Sequence, residues 1–393
     1  MLPRTGLDAV LDVVPPVEHA FGYGSGVFTQ PLASSNETNV DEVQRGSGTE
    51  ASVATPRPTT MVDFVFAVTS PKQWHAENIQ RNPSHYAPHI RLLGPDAVVA
   101  IADRVGVGVH FNTLVPWRGV RDEDTTARLG PGRATHYKYG VVKLDTLCTD
   151  LTDWHSLFLA GRMQKPVLTI SKHASVANAL DTNLNAALAT ALLTLPDLFT
   201  DETLRETLCG LSYRGDLRTW FGAEDKHKVK RIAAGSTNAI DELYRLAVAN
   251  AGASPAGLAR IEVGGIGGVR GSGVVSGRAT DLGRAHNFGK HESTTAWGQD
   301  KSESARRALC KWLPLSALRA LGACVDDDLE QAVKRVASRN DIATRLTTHI
   351  DKTVLRSSFK QLLSGATATS PTKAVTYAAA KFAKSAASRF RQP

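Results

Sequence analysis

An α+β fold is predicted for this chain, with a mixed first domain and a mostly helical second one. Three observations predict it. Short runs of β-branched and aromatic residues fall before residue 145, whereas 3.6-residue periodicity dominates from Thr146 onward. No internal repeat breaks that order. At 393 residues and 42% hydrophobic content, the chain can bury a substantial core. The expected organisation is a first domain over 1–165, with a loop insertion at 33–60. A helical domain follows over 166–350, with a glycine-rich insertion at 251–291, and then a tail over 351–393.

The elements follow in order. Val10 to Val17 is a short apolar run stopped by Pro15 and Pro16. Ala20-Phe21-Gly22-Tyr23-Gly24-Ser25-Gly26-Val27-Phe28 reads as a glycine turn. The stretch from Ala33 to Thr60 is Ser-, Thr-, Asn-, Glu- and Pro-rich, and reads as a loop. Met61 to Val68 is a buried strand ended by Ser70-Pro71. Gln73 to Ile79 is a short helix stopping before Asn82-Pro83. Val105 to Phe111 and Tyr139 to Leu144 are further strands.

Helical spacing of Leu147, Leu151, Trp154, Leu157 and Phe158 follows, with Asp145 as N-cap. Val176 to Leu195 is a long Ala/Leu helix stopped by Pro196. Asp201 to Leu208, Ala239 to Ala249, Ser302 to Leu321, Asp326 to Val336 and Asp341 to Leu363 complete the helices. Gly264-Gly265-Ile266-Gly267-Gly268 and Gly271-Ser272-Gly273 imitate phosphate loops, but no Lys-Ser/Thr follows them. They read as part of a low-complexity insertion.

Bulk chemistry narrows the function classes. Cys148, Cys209, Cys310 and Cys324 have no metal or disulfide spacing. No apolar run reaches the ~18 residues of a membrane span. The N-terminus has neither a secretory signal nor an Arg-rich, acid-poor transit pattern. The net charge of +8 sits in one place: eight cations and no acid follow Asp351, and the remaining 38 basic residues match the 38 acidic ones. A basic tail points to an anionic partner, nucleic acid or membrane. From Lys373, an apolar side (Val375, Phe382, Phe390) opposes Lys381, Lys384 and Arg391. Such a helix suits an anionic membrane surface.

Two stretches carry the chemistry. Gly24 and Gly26 let backbone N–H groups approach phosphate oxygens, and Ser25 adds a hydroxyl. Alone, a glycine turn is more often only a turn. Asp63 adds weight, because a carboxylate inside Phe/Val-rich strand sequence is costly to bury without a partner or a metal. The alternative is a strand-edge Asp in water. Arg162 and Lys165 are the residue types for phosphate charge. Lys226, Lys228 and Lys230 read as a solvated face. His75 and His85 read as buried, hydrogen-bonded histidines, and Tyr86 as core.

A glycine-serine turn followed by a strand acid resembles the polymerase-β-like nucleotidyltransferases. The likeness goes further, through Trp74-His75, Asn82-Pro83-Ser84-His85-Tyr86 and Tyr137-Lys138-Tyr139-Gly140-Val141. It continues through Leu159-Ala160-Gly161-Arg162-Met163-Gln164-Lys165-Pro166-Val167 and Gly210-Leu211-Ser212-Tyr213-Arg214-Gly215-Asp216-Leu217-Arg218. These blocks, in this order, resemble the mitochondrial phosphatidate cytidylyltransferase family.

That resemblance implies a nucleotidyltransferase domain followed by a mostly helical domain, with a winged-helix-like arrangement as one option. It implies transfer of CMP from CTP to phosphatidic acid, giving CDP-diacylglycerol and pyrophosphate, towards phosphatidylglycerol and cardiolipin. It implies Mg²⁺ on strand carboxylates, and a peripheral position on the matrix side of the mitochondrial inner membrane. Gly24, Ser25, Gly26 and Arg162 would hold CTP phosphates, and Asp63, Lys165 and Asp216 would be catalytic. The superfamily usually places two acids two residues apart on one strand. Here Met61 and Val65 flank Asp63, so another acid must join it: Asp216 first, Asp145 second. A soluble or RNA acceptor is the alternative within the same chemistry. A non-catalytic nucleic-acid binder is the rival, though the tail lacks a stacking platform and no nucleic acid is expected.

Overall fold

The computed structural model describes residues 7–28, 61–117, 136–217, 227–264, 268–270 and 294–368. The expected loop at 33–60, the Gly271–Gly273 turn and the helix from Lys373 lie outside the described residues.

The first layer is a five-stranded sheet of order β3-β4-β2-β1-β5. Its strands are β1 (His19–Tyr23), β2 (Met61–Val68), β3 (Val109–Pro116), β4 (His136–Lys143) and β5 (Leu168–Ser171). β2 and β4 are parallel; the other pairs are antiparallel. The sheet is therefore mixed, and its last strand lies beyond residue 165. β1 is not expected as a strand, because its glycines read as turn. Pairing on both sides, to β2 and β5, holds it extended. β3 starts four residues later than expected, because Gly106 and Gly108 carry the bend before it, the latter at φ +81°.

Alternation along β2 sends its two sets of side chains into different cores. Val65 and Ala67 join Phe21, Val142 and the helical residues Leu147, Leu151 and Trp154. Val62, Phe64, Phe66 and Val68 join Tyr137, Tyr139, Val141, Trp74 and the N-terminal Val10 and Val14.

The second face is covered by α1 (Val10–Val13) and α2 (Pro71–Arg81). Next in the chain comes α3 (Pro88–Ala100), which continues as a π-helical turn over Ile101–Val105. α3 is broken at Gly94 (φ 79°, ψ −176°). Gly94 precedes Pro95, which disfavours helical backbone in the residue before it, and this pair hid the helix from the periodicity.

The first face meets α4 (Leu144–Asp153), α5 (Ala160–Met163) and α6 (Ala174–Thr194). α6 is buried all round over Ala186–Leu193, where its sequence is almost entirely Ala and Leu. α7 (Asp201–Gly210), α8 (Lys228–Gly235), α9 (Thr237–Ala253), α10 (Glu303–Cys310), α11 (Leu315–Ala320) and α12 (Leu329–Ala337) build on it. α13 (Ile342–Ala368) runs without interruption past residue 350, where the tail was expected to begin.

A second sheet, β6-β9-β7-β8, lies where the glycine-rich insertion was expected and next to it. Its strands are β6 (Leu198–Phe199), β7 (Ala259–Gly264), β8 (Gly268–Arg270) and β9 (Thr294–Gly298). The two outer residues of the first glycine cluster, Gly264 and Gly268, are paired across β7 and β8. Among the described residues, no helix is long and apolar enough to cross a membrane. The four cysteines are free thiols.

Candidate active site

β1 ends in the glycine turn and β2 carries the acid, with Tyr23 opposite Asp63 and Asp63 opposite Lys138. Gly24 has φ +80°, open to glycine and strained for most residues. A Cβ placed there would sit 3.8 Å from Asp63 Oδ2, so the carboxylate faces the turn. Gly26 is held by sterics: a Cβ there would lie 2.5 Å from Met61 O. The N–H groups of Val27 and Phe28 both donate to Gly24 O at 3.0 Å. Ser25 and Gly26 are the turn amides not used in that closure, and Ser25 is exposed.

Arg162 comes to this corner from α5. Its guanidinium carbon lies 5.3 Å from the Tyr23 ring centre and 3.7 Å from that of Phe158. It donates to Phe158 O, while its buried Nε has no hydrogen-bond partner. Phe158 in turn meets Phe111 edge-on, and Lys138 Nζ sits 4.2 Å from the Phe111 ring centre. Tyr23, Asp63, Lys138 and Arg162 therefore gather on the helix-facing side of the sheet.

Lys165 sits one turn further on. Its ammonium donates to Gly161 O and to Ser212 Oγ, the latter at 2.7 Å. The Tyr213 ring centre lies 5.2 Å from Lys165 Nζ and 5.2 Å from Lys228 Nζ. Burial lowers the Lys165 pKa to about 7; Cys209 opposes the shift, and Arg162 and Lys228 add to it. Lys228 thus belongs beside Lys165 rather than on a solvated face. The contact between the two segments is tight, since a Cβ on Gly161 would lie 2.3 Å from Ser212 Cβ.

The frame behind these cations is a buried carboxylate that the sequence reading missed. Asp150 accepts from the backbone N–H of Ser156 and Leu157 through Oδ1, and of Leu159 and Ala160 through Oδ2. Asn183 accepts from Trp154 Nε1 and Gln164 Nε2 and donates to Ala160 O. Tyr244 closes the frame by donating to Gln164 O at 3.0 Å. The stretch from Leu159 to Gln164 is therefore held by buried hydrogen bonds, which fixes where Arg162 and Lys165 leave the backbone.

Of the two further acids, Asp145 lies apart from this corner. Lys143 is five residues beyond Lys138, about 16 Å along β4, and Asp145 follows it at the opposite end of the β2/β4 pair from Asp63. Asp145 forms an exposed ion pair with Lys143 at 2.8 Å. It is not the N-cap either: Lys143 occupies that position and Asp145 the first turn. Asp216 is buried, 2% exposed, in the turn after Tyr213. That turn rests on α13: Arg214 pairs with Asp351 at 2.9 Å and Leu217 N donates to Ser358 Oγ. Gly215, at φ +67°, has no room for a Cβ against Asp351 O. Among the described residues, no group of three or more His, Cys, Asp or Glu side chains is placed to hold a metal.

The histidine motifs lie on the other face of the sheet, as a buried network. Tyr139 Oη accepts from Asn78 Nδ2 at 2.8 Å and from Asn112 Nδ2 at 2.9 Å, and it meets His85 Nδ1 at 2.9 Å. Tyr86 Oη meets His75 Nδ1 at 2.8 Å and accepts from Asn78 Nδ2. His110 stacks on Tyr86. Burial lowers His75 well below its usual range and His110 to about 4. These residues set strand and helix positions.

Comparison with known proteins gives one consistent result. The family described as "Phosphatidate cytidylyltransferase, mitochondrial" matches residues 7–384. A Drosophila melanogaster protein of that description is 32% identical over 373 residues, 94% of each chain. A Xenopus laevis relative is 40% identical over 57% of this chain and 56% of its own. One from Schizosaccharomyces pombe is 34% identical over 58% and 49%.

Proposed function

The chain belongs to the mitochondrial phosphatidate cytidylyltransferase family, and on that premise we propose how its own residues carry the reaction. A phosphate oxygen of phosphatidate attacks the α-phosphorus of CTP, the bond to the β-phosphate oxygen breaks, and pyrophosphate leaves. The attacking oxygen is already anionic near neutral pH, so no strong base is required. Catalysis is then positioning and neutralisation of charge.

The observation that carries this reading is the glycine turn opposite Asp63, with Gly24 open to the carboxylate and Gly26 pressed on Met61. In our reading this turn and β2 form the nucleotidyltransferase core. Ser25 and Gly26 take the β- and γ-phosphates through their N–H groups, and the Ser25 hydroxyl adds a donor. Arg162, beside Tyr23, brings its guanidinium charge to the same phosphates. Lys165, set by Ser212 and Tyr213, neutralises charge as pyrophosphate forms.

A single hard carboxylate facing a phosphate turn fits Mg²⁺ delivered with the nucleotide, which needs few protein ligands. Asp63 would hold it, and Asp216 is the second acid to test; Asp145, at the other end of the sheet, is not in the proposal. The ion would neutralise the triphosphate and align it for in-line displacement.

The basic tail would hold the enzyme on an anionic leaflet, on the matrix side of the inner membrane. Purified protein given CTP, Mg²⁺ and phosphatidate vesicles should release pyrophosphate. No release would sink the reading. A soluble or RNA acceptor is not favoured by the family match.

A further inference from the structure

Eight large apolar side chains are exposed among the described residues, and five of them gather on two touching elements. Leu92 (88% exposed) and Leu93 (63%) stand at the outer corner of α3, just before the Gly94 break. Phe359, Leu362 and Leu363 lie on the last turns of α13. His89, one turn before the leucines, meets Thr367 O at 3.0 Å, so the two elements adjoin.

The α13 residues form a face of their own. The helix seats Ile350, Val354, Ser357 and Ser364 against the body. At 100° per residue, Phe359 and Leu362 point the opposite way. Lys352, Arg356 and Lys360 flank this outer side, and no acid occurs from residue 352 onward. Near the leucines, Arg91 is exposed, and Asp96 is neutralised by Lys72 at 2.7 Å. An apolar surface edged by cations, with Asp96 held by Lys72, is complementary to an anionic bilayer rather than to a protein core. The chain beyond this edge begins at Thr369 and brings five more cations.

We propose that Leu92–Leu93 and the outer stripe of α13 form one membrane seat on the folded body, inserting into an anionic leaflet beside the tail. The inference rests on the phosphatidate reading, since the acceptor lies in a bilayer. The seat also has a structural link to the site. One flank of α13, beside Leu362, holds the Arg214–Leu217 turn through Asp351 and Ser358, and that turn follows the Ser212 and Tyr213 that contact Lys165. Docking therefore orients the cleft as well as tethering the chain.

The test uses the full chain and vesicles of phosphatidylcholine with phosphatidylglycerol. Leu92→Ser with Leu93→Ser, and separately Phe359→Ser with Leu362→Ser, should each lower vesicle partitioning about tenfold at unchanged thermal midpoint. Turnover on vesicular phosphatidate should fall in step, while turnover on a monomeric short-chain phosphatidate stays the same. The indole introduced by Leu93→Trp should shift its emission to the blue on these vesicles and be quenched by brominated acyl chains. Undiminished partitioning of both double variants overturns the seat. So does an emission from the introduced indole that is already blue without vesicles, which would mean the tail or a second copy covers it. A chain inert on monomeric phosphatidate would instead sink the enzymatic reading, and the flotation arm would still judge the seat.

Discussion

The Lys165 ammonium donates to the Ser212 hydroxyl at 2.7 Å, and it does so from a half-buried side chain whose desolvation lowers its pKa to about 7. Burial is the main cause, and two neighbouring cations add to it. Two consequences follow for pH. The free enzyme should lose CTP affinity as pH rises through about 7, because the neutral amine no longer attracts phosphate. The folded pKa is below the unfolded value of 10.5, so the unfolded chain binds more protons in between. This residue therefore makes stability rise with pH from about 7 towards 10.5. Lys165→Met should keep or raise the thermal midpoint at pH 7 and lower kcat by about 10²-fold or more. Calorimetry and pyrophosphate release measure the two separately, and a large fall in midpoint would assign Lys165 a structural role.

Asp63 should behave as a site residue and not as a core residue. Its carboxylate faces the turn, and its side chain is only partly buried. Asp63→Asn should shift stability by less than about 1 kcal/mol while removing turnover. Gly26→Ala should do the reverse in part, costing stability as well as CTP binding, because its methyl would meet Met61 O. Denaturant titration beside CTP calorimetry would separate the two, and retained turnover in Asp63→Asn would overturn its proposed role as the Mg²⁺ ligand.

Asp150 should matter as much as any residue that touches substrate. Its two oxygens take four backbone N–H groups. Asp150→Ala leaves those donors buried without their acceptor, at a cost of about 3 kcal/mol or more. Asp150→Asn should recover part of it. Proteolysis of the 156–163 segment at native temperature would register the loosening, and an unchanged cleavage rate would argue against this role.

Tyr139→Phe should destabilise by about 2 kcal/mol, since it removes the acceptor of two asparagine amides. The histidines of the same network add an acid limit. His110 is lowered to about 4 by burial, below its usual 6.5. Below pH 6.5 the unfolded chain takes up the proton first, so stability falls as pH drops from 6.5 towards 4. His110→Gln should flatten that slope in unfolding measured by circular dichroism; an unaltered slope would assign it to other groups.

What the sequence made legible was local. β2, with Asp63 inside it, follows from eight residues of β-branched and aromatic pattern, and the long Ala/Leu helix from composition. β1 was hidden because its extended form is imposed by two neighbours rather than by its own glycines. Asp150 was hidden for a related reason. On a helical wheel it is one more polar residue, and only the fold brings it the amides of residues 156 to 160. Lys228 looked like surface charge because nothing in its run indicates Tyr213. His75 and His85, by contrast, were read correctly as buried and bonded.

The close approach of Gly26 to Met61 bears on how the chain can be rewired. Phe28 and Met61 are the ends of the span 29–60, and the turn that begins it lies against the strand that ends it. A span whose ends already meet costs little to lengthen or shorten, since closure entropy grows only with the logarithm of its length. New termini or a reporter domain could be placed there without changing the register of β1 on β2. A split enzyme reassembled across that junction would regain turnover only when Gly24 again faces Asp63.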